Sequence, residues 1–103
     1  MSDGLNNQVE SLIMERYMPI TGHDCTIPSL LIDTQAPIDV LHDVAGYRIR
    51  AATQLLESFV VSDESRCDPV ALQELSAACT ILLRDGCDLL DVVGRQLQKQ
   101  LLV

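Results

Sequence analysis

Tryptophan is absent, and only Tyr17, Tyr47 and Phe59 are aromatic among 103 residues. A core must therefore be built from Leu, Ile, Val and Ala, which suits helices packing on helices and does not suit a β-sandwich. Basic residues are scarce too: 7 Lys and Arg stand against 15 Asp and Glu, for a formal charge of −8. That charge opposes the phosphate neutralisation on which non-specific nucleic-acid affinity rests, so nucleic acid is not expected as a ligand. A basic protein or a cation is electrostatically easier, although the same charge also serves simply to keep a protein soluble. No stretch approaches the ~18 consecutive apolar residues of a membrane span. The start Met1-Ser2-Asp3-Gly4 lacks the basic and apolar regions of a signal peptide. The expected setting is the cytoplasm, with no membrane association.

Recognisable chemistry is sparse as well. His23 and Cys25 stand two apart, but a structural zinc site needs a second closely spaced pair, and none follows. Neither His23 nor His42 sits in a nucleophile motif, and His42 falls on the polar side of its segment. Gly22, Gly46, Gly86 and Gly94 are isolated, so no phosphate-cradling loop is present. Asp85, Asp88 and Asp91 recur every three residues and could draw a divalent cation, but with Arg84 and Arg95 nearby a solvated helix face is the simpler reading. Four cysteines, Cys25, Cys67, Cys79 and Cys87, occur in a leucine-rich chain that does not need disulfides for a core, and free thiols are expected. No catalytic residue, cofactor or metal is expected, and the chain is not expected to be an enzyme.

What the chain does carry is helical periodicity. In residues 1–36, Leu5, Val9, Leu12 and Ile13 recur at helical steps, which suggests a short helix from about Asn6 to Tyr17, stopped at Met18-Pro19-Ile20-Thr21-Gly22. The stretch Cys25 to Asp33 is β-rich but holds Pro28, so it reads as at most an edge strand or an extended arm. A second helix should start near Ala36 or Pro37, with Asp39 at the positive end of its dipole. Its apolar residues Ile38, Leu41, Val44, Ala45, Ile49, Ala52, Leu55, Leu56 and Phe59 form one stripe along about six turns. After a polar break over residues 60–68, Asp68-Pro69 signals a new start.

The last helix should run almost to the end, with Leu72, Leu75, Cys79, Leu82, Gly86, Leu89 and Val93 alternating in steps of three and four like a coiled-coil seam. A second apolar row, Ala71, Ala78, Ile81, Leu90, Leu97 and Leu101, lies round the side, more than one partner helix can cover. Gly86 and Gly94 each cost about 1 kcal/mol in a helix interior, which close approach of another helix at Gly86, or a small groove for a ligand, would repay.

The Ala-Pro-Ile-Asp start at residues 36–39, the middle Arg50-Ala51-Ala52-Thr53-Gln54-Leu55-Leu56, the polar break and the long Leu-rich helix together resemble a group of short bacterial proteins of unknown function that form helical hairpins. The resemblance covers about residues 34–97 and implies no activity.

The fold expected is mainly all-α, one domain: an N-terminal helix plus extended arm over 1–36, packed on or across a hairpin of two long antiparallel helices over 37–103. Two copies would make a four-helix bundle. The leading functional expectation is a non-enzymatic protein acting through protein–protein interaction in a regulatory role, as a homodimer. Its candidate interface is Leu75, Cys79, Leu82, Gly86, Leu89, Val93 and Leu97. One alternative is a bundle that binds a small-molecule effector in a pocket near His42, Gly46 and Tyr47; another is an escort for a basic or secreted partner.

Overall fold

At Asp68 the backbone is extended (φ −107°, ψ 106°), and its side chain accepts the Val70 amide at 3.0 Å. Pro69 follows in the first turn, where no amide is needed, so the sequence Asp-Pro both caps and starts a helix. The computed structural model describes residues 16–22, 27–61 and 68–102. These form two short strands, β1 (Tyr17–Pro19) and β2 (Leu31–Asp33), and two helices, α1 (Ile38–Val61) and α2 (Pro69–Leu101). The helix expected over about Asn6 to Tyr17 lies outside the described residues except at its end, where Arg16 is helical and Tyr17 opens β1.

The two helices pack against each other and run antiparallel. Cys79 lies against Ala52, its thiol 3.8 Å from the Ala52 carbonyl oxygen, whereas Gly86, further along α2, meets Ala45 and Ile49, earlier in α1. Small residues make this contact: Ala45 and Ala52 are completely buried, and a Cβ at Gly86 would stand 2.9 Å from Ile49 Cγ1. Glycine at 86 is thus explained by the approach of α1.

Beyond Gly86 the contact widens into the main core. Leu41 and Ala45 of α1, Leu89, Val92 and Val93 of α2, and Ile32 of β2 form one buried cluster, flanked by Met18, Ile20, Ala36, Ile38 and Val44. Burying a residue such as Val92 fully is worth about 1.5–3 kcal/mol.

The strands pair antiparallel with Tyr17 opposite Asp33, Met18 opposite Ile32 and Pro19 opposite Leu31. Pro19 lacks an amide, and the pairing continues past it with the Ile20 amide donating to Leu30 O at 3.2 Å. At the other end the Thr34 amide donates to Arg16 O at 2.7 Å, and Arg16 donates two hydrogen bonds to the Asp33 carboxylate. Polar contacts fix the ribbon to α2, among them the Arg95 guanidinium, which donates to Met18 Sδ at 3.5 Å. Thr21 donates to the Asp88 carboxylate, and the Gln96 amide donates to the carbonyls of Thr34 and Ala36.

The ribbon covers the half of the helix pair that holds the main core. Elsewhere the fold is a single layer: the extents are 62 × 35 × 15 Å, and one helix with side chains is already about 10–12 Å across. The radius of gyration is 18.1 Å, against about 13 Å for a compact domain of this length. Among the described residues no helix is long and apolar enough to cross a membrane.

Candidate functional site

Ribbon and helices enclose a half-open cleft of about 290 Å³ between β2, α1 and α2. Its walls are apolar, among them Ile20, Leu31, Leu41, Val44 and Leu89, and its polar groups are Asp33, Arg48 and Asp85. Arg48 Nε stands 3.5 Å from Asp85 Oδ2, while Asp85 Oδ1 is buried without a hydrogen-bond partner. At the rim, the Arg16 guanidinium holds the Asp33 carboxyl below its ordinary value of 3.8, helped by the Gln35 amide 3.0 Å from Asp33 Oδ1. The same ion pair raises the pKa of Arg16.

The acidic row of α2 is not a uniform solvated face. Successive steps of three drift round the helix, so Asp88 turns under the ribbon, Asp85 faces Arg48 and Asp91 stays exposed. Asp88 is only 5% exposed, with the Thr21 amide 2.8 Å from its Oδ2 and the Thr21 hydroxyl 2.9 Å from its Oδ1. Its carboxylate is engaged in holding the ribbon. Among the described residues no cluster of His, Cys, Asp or Glu has the makings of a metal site. His23 and Cys25 lie outside the described residues.

The structure divides the candidate interface. Cys79, Gly86, Leu89 and Val93 are buried inside the chain, and Leu75 and Leu82 are half-buried. The partner of this seam is α1 of the same chain; only Leu97 is exposed. The candidate pocket residues are not brought together around a cleft. His42 is exposed, Tyr47 is 70% exposed, and a Cβ at Gly46 would meet only the flexible end of Arg50. None of the three lines the cleft under the ribbon.

Two of the places where apolar side chains stay exposed among the described residues lie on the helices. At the end of the hairpin away from the ribbon, Leu56, Val60 and Val61 line an open groove of about 530 Å³. Along α2, on the side away from the ribbon, Leu83, Leu90, Leu97 and Leu101 are all exposed. Sequence reasoning found the last three but grouped them with Ala71, Ala78 and Ile81, which lie on the other flank, and it missed Leu83. The signal for Leu83 was its spacing of seven from Leu90. No protein-family model matches the chain, and neither a curated protein nor a solved structure matches it.

Proposed function

We propose that the chain is a non-enzymatic interaction protein that first associates with itself and then binds another protein through its helical surface, in a regulatory role. The observation that carries this reading is the one-layer hairpin with apolar residues exposed along both helices. Leu83, Leu90, Leu97 and Leu101 of α2 and Leu56, Val60 and Val61 of α1 all stand exposed, a set of the kind that marks a protein–protein interface. The charge of −8 suits a basic second partner. The thiols of Cys79 and Cys87 are unpaired, which suits a reducing setting such as the cytoplasm.

Light scattering over a range of concentrations, with and without reductant, tests the self-association. The expected result is a mass twice the 11.3 kDa of the chain, independent of reductant. A monomer at every concentration would remove the basis of the reading.

A second reading rests on the buried, unpartnered Asp85 Oδ1. An apolar molecule carrying one N–H or O–H donor would fill the cleft and satisfy that oxygen. Screening a library of such molecules by thermal shift tests it, and any true ligand must lose its effect on Asp85→Ala.

A further inference from the structure

The self-association proposed above leaves open which face is used, and α2 carries one face whose features have no explanation inside the chain. Leu83, Cys87, Leu90, Gly94, Leu97 and Leu101 follow one another in alternating steps of four and three, which is the spacing of a helix–helix seam. All six are exposed, with Leu83 at 39%, Leu90 at 41%, Leu97 at 46% and Leu101 at 85%. This seam lies one residue round the helix from the core row of Leu82, Leu89 and Gln96, on the side away from Asp88 and Val92. Neither α1 nor the ribbon covers it.

Gly94 is the telling residue. Inside a helix, glycine is unfavourable, and at Gly86 the approach of Ile49 accounts for it. At Gly94 an added Cβ would meet nothing within 4 Å. No contact within the described chain requires glycine there, whereas a second helix crossing closely at this point would.

We propose that the seam is covered by the same seam of a second copy, antiparallel, with the two-fold axis passing beside Leu90. The pattern is symmetric about that residue: large residues stand seven positions away on either side, at Leu83 and Leu97, and small ones stand three before and four after, at Cys87 and Gly94. Reversing one helix therefore sets Leu90 against the partner's Leu90, Leu83 against the partner's Leu97, and Cys87 against the partner's Gly94. The central Leu90 layer is flanked on both sides by small residues, and the outer layers of Leu83 and Leu97 on their inner side, so the helices approach closely about the axis while the leucines interdigitate. An isologous contact of this kind is self-complementary and closes at two copies. Four helices then form two layers, and the thin hairpin gains the second layer it lacks. Each chain carries a charge of −8, so added salt tightens the pair by screening their repulsion.

Cysteine cross-linking tests the register. In full-length chain with Cys25→Ser and Cys67→Ser, the variant Gly94→Cys should oxidise to a covalent dimer through Cys87 and the introduced thiol, reversibly with reductant. Without Gly94→Cys, Cys87 and the partner's Cys87 lie about 9 Å apart along the axis alone. That is beyond the roughly 7 Å limit for a disulfide, so little covalent dimer should form. Leu90→Glu places two carboxylates at the axis and should raise the dimer dissociation constant about a hundred-fold, with helicity retained by circular dichroism.

A dimer by light scattering that Gly94→Cys fails to cross-link, or that Cys87 alone cross-links equally well, would overturn this pairing and leave self-association through another face. Were Leu5, Val9, Leu12 and Ile13 to cover the seam instead, the chain would stay monomeric and no covalent dimer would form, and both proposals would fall.

Discussion

Replacing Gly86 with alanine sets helix propensity against packing, and the structure decides which wins. A helix interior favours alanine over glycine by about 1 kcal/mol. Against this, the new Cβ would stand 2.9 Å from Ile49 Cγ1 and 3.4 Å from its Cδ1, with the Ala45 carbonyl oxygen at 3.5 Å. Ile49 is β-branched and lies in mid-helix, where one χ1 rotamer dominates, so Cγ1 cannot swing clear without strain. Overpacking of this kind costs about 1–3 kcal/mol. The net expectation is destabilisation of up to about 2 kcal/mol. The sharper form of the test is a sign change. In an Ile49→Ala background the obstructing atoms are gone, and Gly86→Ala should then stabilise by about 1 kcal/mol. Urea unfolding of the four proteins at one fixed concentration, followed by circular dichroism, closes the double-mutant cycle. Gly86→Ala that stabilises the Ile49 protein, or that acts alike in both backgrounds, would refute the close approach of α1 and α2.

Asp68→Ala removes the acceptor of the Val70 amide and should cost about 1 kcal/mol in chemical denaturation; a change within error would show that the cap adds nothing. Asp88→Ala removes the acceptors of both Thr21 donors, with an expected loss of about 1–2 kcal/mol and faster hydrogen exchange at the Thr21 amide. Unchanged exchange there would mean the ribbon is held by other contacts. For Asp33 the sign follows from its depressed pKa: the carboxylate favours the folded state above the ordinary value of 3.8, and that contribution is lost as pH falls through the lower folded value. Titration by NMR should show Asp33 below 3.8, with Arg16→Gln moving it back up; no movement would mean that Arg16 is not the cause.

The hairpin was legible because its signals are local. Asp68-Pro69 marks the start of α2 without reference to anything else, and Pro37 stands immediately before α1, which begins at Ile38. The stripe is buried at Leu41, Ala45 and Ala52 and the seam at Cys79, Gly86, Leu89 and Val93, whereas Leu55 and Leu56 of the stripe and Leu72 of the seam, at the end of the hairpin that the ribbon does not cover, stay exposed. Half of the ribbon was legible too, since β2 (Leu31–Asp33) lies in the β-rich stretch Cys25 to Asp33 that reads as at most an edge strand, but β1 was not. Strands of three residues carry almost no alternation, and Tyr17 continues the apolar spacing of the residues before it, so only pairing with Asp33 reveals it as strand.

The burial of Asp88 depends on Thr21, 67 residues away in sequence, and no spacing rule reports a contact of that range. Leu83 was hidden for a different reason. It directly follows Leu82, which satisfies the core seam, and one residue of rotation separates a buried row from an exposed one. The sequence showed that α2 has more apolar surface than α1 can cover. Which flank stays uncovered depends on where the ribbon packs.

The most direct test of the account is the alkylation rate of the Cys87 thiol, exposed in the single chain, as protein concentration is raised through the range in which mass doubles. If the seam around Leu90 is the surface that two copies share, alkylation of Cys87 should slow in step with dimer formation and recover on dilution. A rate that stays constant while the mass doubles would contradict it.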